Sequence, residues 1–586
     1  MSSLPPGLIL IAAGLLLPMA GPRLRQGLIL GAPLLALWWV WQIPDGVHLK
    51  LHLLDLAWMF PGADLKPGAF DLELVRGDRL ARLFGTVFTV MAFAGGLFAL
   101  PQKRTTELAA AYCYAGAALG VAFAGDLISV FIFWEIMAIG STLVIWSAAT
   151  VGARAAGLRY AAIHLLGGVI LMAGIADYIV ATQSIAFGGD AIQNILGFDR
   201  PGTWLILIGF LINAGAPPLS AWLPDAYPET SWSGMVFLSA FTTKTAVFVL
   251  IRGFPGMELL IWVGLYMIFY GIIYALLEND MRRILAYSIV NQVGFMVCGI
   301  GLAGSADPEF NRLALNGAAS HAFTHIIYKA LLLMSAGSVL YMTGKRKCTD
   351  LGGLFRTMPL TMICGTIGAL SISSFPFTSG FISKSMISSS AAEQHLLWVW
   401  LALMAASAGV FLHAGIKFPW FVFFQKDSGL RPPEPPRSMR GAMVLFAFLC
   451  IFLGVWPDPL YAILPYPVSY VPYTAEHVVT MFQLLLFSGL AFFLLLPLMK
   501  RTLTISLDID WFYRKFGTAV AREFGLQGGK VQIGVFALIG RFLHRGHNRL
   551  LQFAGPQSRL ARTWQTAGMV GLILILMAVY LVLALV

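Results

Sequence analysis

The chain has 586 residues, of which 58% are hydrophobic and only 11% are charged, and its mean hydropathy is +0.78. A soluble protein carries roughly 25% charged residues, so this composition excludes a soluble globular chain. The formal net charge of +11 does not indicate a nucleic-acid partner, because the basic residues lie in short loops between long apolar segments.

Apolar segments of about 20 residues, long enough to cross a lipid bilayer, recur along the whole chain. They predict an all-α polytopic membrane protein, because a β-barrel would show short alternating segments instead. We expect about 14–16 transmembrane helices by this length criterion. The first apolar segment lacks a basic n-region and is interpreted as a span rather than a cleaved signal. The spans, numbered in order, are 7–20, 27–42, 80–100, 108–124, 127–148, 160–182, 204–227, 232–252, 258–277, 284–304, 314–342, 358–391, 397–424, 441–463, 481–499 and 566–585.

Basic residues mark the loops that follow the odd-numbered spans. They are Arg23 and Arg25, Lys103 and Arg104, Arg154 and Arg159, Arg282 and Arg283, and Lys345, Arg346 and Lys347. The positive-inside rule places these loops in the cytoplasm and the N-terminus outside.

Two spans contain helix breakers. The segment 211–229 reads LINAGAPPLSAWLPDAYPE, and 369–386 reads ALSISSFPFTSGFISKSM. Proline removes a backbone donor, and in lipid such a break survives only where protein or a wet cavity satisfies the backbone. Two broken helices five spans apart predict two inverted five-helix repeats, with a binding site near the breaks.

These features predict six regions. Residues 500–564 mix aromatic, aliphatic and basic residues, which is typical of amphipathic helices on the cytoplasmic surface, or of helices packed on a partner subunit. The regions are N-terminal helices in 1–107, a first repeat in 108–252, a second repeat in 258–424, further spans in 441–499, the amphipathic segment 500–564 and a final helix in 565–586.

Titratable residues occur inside several spans, where charge is costly and usually functional. Glu135 lies in the middle of span 5, and Lys244 in span 8 follows two threonines. Burial penalises the charged form of a side chain, so such groups can exchange protons near physiological pH. The alternative for Glu135 is a structural ion pair with a neighbouring helix.

Span 11 carries His321, His325 and Lys329 at intervals of four residues, which places them on one face of a helix. Histidine titrates near neutral pH and can relay protons between its two nitrogens. The same histidine spacing occurs in zinc sites, but the sequence has no HExxH motif and no third ligand nearby. Lys384 follows the second break.

The sequence gives weaker support for a functional role of the other polar groups in the spans. Lys417, near His413 in span 13, either takes part in transfer or extends to the cytoplasmic surface. His164 in span 6 is expected to be structural. The sequence has no phosphate-binding loop, nucleophile triad, CxxC or haem motif, and its five cysteines are scattered, so we expect no cofactor and no metal.

Six motifs occur in order over roughly residues 80–425: FWEIMAIGSTLVIW, AWLPDAY, TTK, MRRILAYSIVNQVGFM, HAFTHIIYKALL and SGFISK. Together they resemble the antiporter-like membrane subunits shared by respiratory complex I and the Mrp-type multisubunit sodium/proton antiporters. The tail, with LLPYPVSYVPYTAEHVV and LDIDWFYR, is most similar to the proteobacterial D-type (MrpD-like) chains of these antiporters.

This resemblance implies a multi-pass subunit of a bacterial inner membrane, assembled with other membrane subunits and moving protons and a monovalent cation, foremost Na⁺. It implies a proton path through six matched positions, which are Glu135, Lys244, His321, His325, Lys329 and Lys384.

The sequence departs from the family at the first broken helix. The family usually has a lysine there as the partner of the glutamate, and here the position is Asn213. The usual histidine before the WLPDA motif is Ser220, and Asp225 of that motif is a further accessory candidate. The first half-channel is therefore expected to work differently, or not to pump.

Three functions remain open. The first is a proton-translocating subunit of a cation/proton antiporter, and the second is a proton-channel subunit of a complex I-like or inorganic-carbon-uptake complex. The third is a non-conducting structural subunit, which Asn213 favours and the retained intramembrane charges disfavour.

Overall fold

The computed structural model describes residues 4–52, 71–497, 508–517, 519–520, 522–523 and 566–585. Within them, twelve helices are long and apolar enough to cross a membrane, and four shorter apolar helices accompany them. Each of the sixteen segments predicted from hydropathy overlaps one of these helices. The prediction of an all-α polytopic membrane protein is therefore confirmed.

The structure has the following elements, in chain order. The helices up to the first break are α1 (Pro6–Leu16), α2 (Pro22–Gln42), α3 (Arg79–Phe98), α4 (Thr105–Phe123), α5 (Leu127–Trp146), α6 (Val151–Thr182), α7 (Ile192–Leu196) and α8 (Pro201–Ala214). They continue as α9 (Trp222–Ala226), α10 (Gly234–Leu238), α11 (Thr242–Gly253), α12 (Leu259–Leu277), α13 (Met281–Gly301), α14 (Pro308–Thr343), α15 (Pro359–Ile372), α16 (Ser379–Glu393), α17 (Leu397–Val410), α18 (Arg437–Val455), α19 (Asp458–Tyr461), α20 (Ala475–Leu494) and α21 (Thr566–Leu585). Strands β1 (Gly46–His52) and β2 (Asp71–Gly77) form an antiparallel hairpin.

The chain forms two compact units, Met1–Asp508 and Ile509–Val586. In the second unit, the described residues include a π-helical turn, Phe512–Gly517, and α21. Most of the predicted amphipathic segment 500–564 lies outside the described residues.

The β-hairpin lies at one end of the first unit. Asp126, which caps the N-terminus of α5, accepts a hydrogen bond from the backbone N–H of Glu73 at 2.7 Å. Arg76 donates to the carbonyl of Phe187 at 2.8 Å, and Arg252 forms a salt bridge with Asp78. These contacts bring the hairpin, the start of α5 and the end of α11 together.

Several predicted cytoplasmic loops meet at another place, which we call the basic end: residues 101–104, 147–150, 227–233, 278–283 and 344–348. The N–H of Cys348 donates to the carbonyl of Asn279 at 2.8 Å, and Arg346 forms a salt bridge with Asp280 at 2.8 Å. A cavity of 390 Å³ lies between these loops and is bordered by Arg104, Arg282 and Arg346. The arrangement agrees with the distribution of basic residues that assigns these loops to the cytoplasm.

Both predicted helix breaks are present. The first separates α8 from α9, where Gly215 adopts a φ of +78°. The second separates α15 from α16, where Ser374 and Phe377 have φ angles of +59° and +66°. Each break follows a very long helix, α6 of 32 residues or α14 of 36 residues. The parallel order supports the two repeats, whose inverted symmetry and boundaries remain a prediction.

A third break, which the sequence analysis did not identify, separates α10 from α11 without a proline. The hydroxyl of Tyr114 in α4 enters it, accepting from the N–H of Thr242 at 2.7 Å and donating to the carbonyl of Leu238 at 3.3 Å. A side chain from another helix thus satisfies the backbone groups that the break exposes.

Glycines bring α12 and α13 into backbone contact. A Cβ atom on Gly264 would lie 2.4 Å from the backbone nitrogen of Cys298, and one on Gly294 would lie 2.6 Å from the carbonyl oxygen of Gly264. Small residues at such positions let membrane helices pack closely. The packing matters for the site because α13 supplies two side chains to it.

We expect Gly264→Ala to lower thermal stability, because the added methyl group must push α13 away, and overpacking of this kind costs roughly 1–3 kcal/mol. The measurement is the fraction of monodisperse protein that survives heating in detergent. Gly31→Ala in α2 is the control, since a Cβ there meets nothing within 4 Å. Equal melting of the two variants would contradict the packing argument.

Candidate functional site

Five of the predicted site residues lie close together in the core of the second repeat and beside it. We call them the buried row: Lys244 of α11, His321, His325 and Lys329 of α14, and Lys384 of α16. Lys384 is 3% exposed and the other four are fully buried. Within the described residues, no carboxylate forms a salt bridge with the three lysines of the row.

Lys244 is held at the third break. Its Nζ donates to the carbonyl oxygen of Ser239, the residue that ends α10, at 2.6 Å, and to Oγ1 of Thr243 at 3.0 Å. A carbonyl at the end of a helix has no intrahelical donor, and it carries the negative end of the helix dipole. The break therefore provides a site where a lysine amino group can stay inside the membrane.

Lys384 is held in the same way at the second predicted break. Its Nζ donates to the carbonyl of Ile372, the last residue of α15, at 2.7 Å. It also lies over the ring of Phe295 in α13, 4.8 Å from the centroid, a cation–π distance. The interrupted helix thus positions the lysine that follows it.

Hydroxyl groups join His321 to its neighbours. Ser383 Oγ lies 3.0 Å from His321 Nδ1 and 2.9 Å from Thr324 Oγ1, and Ser383 directly precedes Lys384. On the other side, the Tyr328 hydroxyl donates to Gln292 Oε1 at 3.0 Å and lies 3.4 Å from His321 Nε2. Both ring nitrogens of His321 therefore have polar neighbours, as a relay requires.

His325 and Lys329 differ from the rest of the row. Their side-chain nitrogens have no hydrogen-bond partner among the atoms of the described residues. His325 interacts electrostatically with Lys244, Lys329 and Lys384. Because like charges repel strongly in a low-dielectric interior, a proton on one base disfavours a proton on the next. The buried row is therefore one coupled set.

Lys417 is held at the end of α12. It is 3% exposed and donates to the carbonyls of Ala275, Leu276 and Glu278, at 3.0, 2.5 and 2.6 Å, at the end of α12. It lies in a π-helical turn, Phe411–Lys417, with His413. This contact caps α12 next to the loop 278–283 of the basic end, and both alternatives for Lys417 stay predictions.

Glu135 lies apart from the row. It is half-buried in α5, and a Cβ atom on Gly168 of α6 would lie 2.1 Å from its Oε1, so the glycine makes room for it. Ile132 and Ile139 on the same helix are exposed, which places Glu135 beside the outer surface of the chain. Its Oε1 has no hydrogen-bond partner and it forms no salt bridge within the described residues, so the structural ion pair is not seen there.

The first broken helix holds the accessory candidates. Asn213 is fully buried, and neither polar atom of its side chain has a partner within the described part of the chain; the same holds for Ser220 Oγ. Asp225 instead accepts two hydrogen bonds from Arg159 of α6, at 2.7 and 2.8 Å. His164 stacks on Tyr160 with a centroid distance of 3.8 Å, consistent with the structural role expected for it.

The comparisons with known proteins agree with this architecture. The family described as "NADH:quinone oxidoreductase/Mrp antiporter, TM" matches residues 124–409. The N-type subunit of the NADH-quinone oxidoreductase of Desulforudis audaxviator is 30% identical over 364 residues, which cover 58% of this chain and 70% of that protein. The chain belongs to this family of antiporter-like membrane subunits.

The chain spans only part of some longer relatives. A probable K⁺/H⁺ antiporter protein of the A/B type from Rhizobium meliloti is 31% identical over 416 residues, 65% of this chain but only 40% of that protein. The A-type and D-type proteins of a Na⁺/H⁺ antiporter of Alkalihalophilus pseudofirmus also occur among the relatives. A chain from the structure of the Mrp complex of Dietzia sp. has a TM-score of 0.65 at 19% identity and covers 84% of this chain and 98% of that one, so it shares the fold.

Several contacts of the site could not be predicted from the sequence. Ser383 and Tyr328 bracket His321, and Gln292 supports Tyr328, but each is an unremarkable polar residue in its own span. The spacing offered one signal, because Tyr328 lies seven residues after His321 and so shares its helix face. Gln292 and Ser383 lie on other helices, and only the packing brings them there.

We expect Asp225→Asn to destabilise the protein, because it leaves Arg159 without its carboxylate, and breaking a buried pair costs about 3–5 kcal/mol. Thermal melting in detergent measures this. The exchanged pair Arg159→Asp with Asp225→Arg should recover part of the loss. A stable Asp225→Asn variant with altered transport would instead give Asp225 a functional role.

Proposed function

We propose that this chain is the proton-translocating subunit of a multisubunit cation/proton antiporter in a bacterial inner membrane, with its N-terminus outside. The observation that carries the proposal is the buried row, with Lys244 and Lys384 on helix-end carbonyls and His321 linked to the helix of Lys384 through Ser383. Idle charges inside a bilayer are costly, so an arrangement of several bases without carboxylate partners favours a role in transfer.

The proton would pass along the row as a sequence of coupled charge changes. Both an ammonium and a neutral amine have an N–H to donate, so the contacts of Lys244 and Lys384 with their carbonyls can persist while the charge leaves. Each histidine can accept a proton on one nitrogen and release it from the other. The row thus needs no covalent chemistry and no redox group.

The similarity to the relatives, rather than the geometry, supports the choice of cation and partners. The relatives are named as parts of K⁺/H⁺ and Na⁺/H⁺ antiporters, and A-type and D-type proteins are both among them. We propose Na⁺ as the first cation to test, assembly with other membrane subunits, and the place of the D-type protein in such a complex.

Lys384→Ala should abolish cation-dependent proton movement in the assembled complex, because the exchange would lose one of its proton carriers. The measurement is a pH-sensitive dye in inverted vesicles that hold the products of the whole operon, with Na⁺, K⁺, Li⁺ or bicarbonate added in turn. Lys345→Ala is the matched control, since Lys345 is an exposed loop lysine.

A second substitution separates transfer from structure at the same position. Arginine keeps the positive charge and can still donate to the carbonyl of Ile372, but it does not give up its proton. Lys384→Arg should therefore stay assembled and remain inactive. Full exchange in this variant would show that Lys384 only caps α15.

Asn213→Lys tests the first half-channel. It restores the residue that the family usually has in the first broken helix, at a fully buried position. If Glu135 carries protons, the new positive charge should shift the pH profile of exchange, since a nearby cation favours the carboxylate form. The profile is measured in the same vesicles, with Asn213→Gln as the control for side-chain size, and an unchanged profile would mean that the first half is silent.

The second candidate function is a proton channel driven by the chemistry of a partner protein. The similarity to the N-type protein of NADH-quinone oxidoreductase favours it. The same vesicles distinguish the two functions, because an assembled complex that responds to no added cation, but to a partner's reaction, would be a channel of this kind.

A further inference from the structure

A buried carboxylate outside the row lies at the first turn of α4. Glu107 is 1% exposed. Two other buried acids of the described residues, Asp225 and Asp280, form salt bridges with Arg159 and Arg346. Glu107 forms none within the described part of the chain, so its burial needs another reason.

The hydrogen bonds of Glu107 are all on one oxygen. Oε1 accepts from Ser231 Oγ at 2.6 Å, from Ser233 Oγ at 2.5 Å and from Gln102 Nε2 at 3.2 Å. Oε2 is buried and has no partner among the atoms of the described residues. One oxygen therefore fixes the carboxyl group in place, and the other is free to hold a proton.

Two of these three donors border the cavity at the basic end. Gln102 and Ser231 line the 390 Å³ space together with Arg104, Glu229 and Arg282. Arg104 and Thr150 are exposed at its rim, so the cavity faces the solvent. A single layer of side chains separates Glu107 from it.

A short helix leads from Glu107 to the buried row. Ser233 directly precedes α10 and contacts Glu107, and Ser239 ends α10 and accepts from Lys244 Nζ at 2.6 Å. The six-residue step from Ser233 to Ser239 corresponds to about 9 Å at 1.5 Å per residue. Glu107 and Lys244 are thus bound at opposite ends of α10, about one and a half helical turns apart.

Helix α4 makes the same connection independently. Tyr114, seven residues after Glu107 and on the same helix face, places its hydroxyl 2.6 Å from Thr242 Oγ1 at the break that holds Lys244. Seven residues of α-helix rise about 10.5 Å, which is close to the step of about 9 Å from Ser233 to Ser239. Two neighbouring helices therefore begin beside Glu107 and reach the Lys244 site.

We propose that Glu107 is the proton carrier between Lys244 and the cavity at the basic end, which makes this cavity the cytoplasmic port of the proton path. The inference rests on the proposed function. In the direction that brings protons inward, the Lys244 ammonium releases its proton to water between the two sites, and this water passes a proton to the Glu107 carboxylate, leaving an amine and a carboxylic acid. The acid then gives the proton to water or a buffer base in the cavity and becomes a carboxylate again.

The charged groups that face Glu107 are few. Arg104 and Arg282 interact with it electrostatically, Glu229 and Arg346 line the same cavity, and Asp280 forms a salt bridge with Arg346. Arg282 is held in place by hydrogen bonds to the carbonyls of Pro228, Thr230 and Ser231. Arginine stays protonated, so near neutral pH the proton exchange of this port falls to Glu107.

The test is Glu107→Gln in the complete complex. Glu258→Gln is the matched control, because Glu258 is an exposed glutamate directly before α12 and does not line the cavity. Glu107→Gln keeps the size and the contacts with the serines, and it should slow proton exchange at least tenfold. Glu107→Asp should recover part of the rate, and Glu258→Gln should stay within twofold of the native complex.

A spectroscopic readout separates proton transfer from structural support. When the pH at the basic end is changed, the infrared difference spectrum of the native complex should contain a protonated-carboxyl band. That band should be lost in Glu107→Gln and kept in Glu258→Gln. If Glu107→Gln does not assemble, a shifted band in Glu107→Asp carries the same test.

The outcomes also distinguish this inference from the proposed function. Full exchange and an unchanged band in Glu107→Gln, or an unshifted band in Glu107→Asp, would overturn the port while Lys384→Ala still tests the row. Loss of exchange in Lys384→Ala together with full exchange in Glu107→Gln would leave the antiporter proposal standing without this port.

Discussion

The carbonyl groups at the ends of interrupted helices are the feature on which the site depends. In hydrocarbon, every backbone polar group must be satisfied within the protein, so a break in a membrane helix exposes carbonyls that need donors. Lys244 donates to such a carbonyl at the end of α10 and Lys384 to one at the end of α15, and Lys417 makes the same kind of contact at the uninterrupted end of α12. A positive charge at a helix C-terminus gains up to about 2 kcal/mol from the dipole in favourable, partly buried geometry.

This pairing explains why breaks and titratable groups occur together. A straight membrane helix uses its carbonyls internally and offers a buried ammonium nothing to bind. Lys329 illustrates the contrast, because it lies in the interior of the unbroken helix α14 and its Nζ has no partner among the described residues. The row therefore contains two lysines that are anchored to backbone carbonyls, Lys244 and Lys384, and a third, Lys329, that is held only by packing and electrostatics.

The spans and the titratable residues could be predicted from the sequence because both have strong local signals. Hydropathy over about 20 residues identifies a span, and prolines identified the two breaks at α8 and α15. The break before Lys244 has no proline and is stabilised by the Tyr114 hydroxyl from α4, a contact across more than a hundred residues. The partners of His321 and the port candidate Glu107 depend in the same way on which helices become neighbours, and hydropathy carries no information about that.

The two halves of the fold hold their charges differently, and this difference bears on how the chain works. In the second half, the broken helix places Lys384 against a helix-end carbonyl and next to Ser383, in line with His321. In the first half, the corresponding break carries Asn213, whose amide atoms have no partner within the described residues, and Glu135 lies half-buried near the outer surface. A neutral amide cannot stabilise a carboxylate as a lysine would. Lys244, fully buried at the end of the first half, is connected by α10 and α4 to Glu107 rather than to Glu135. The geometry therefore favours a path that runs from the second half to Lys244 and leaves by way of Glu107, with Glu135 and Asn213 outside it.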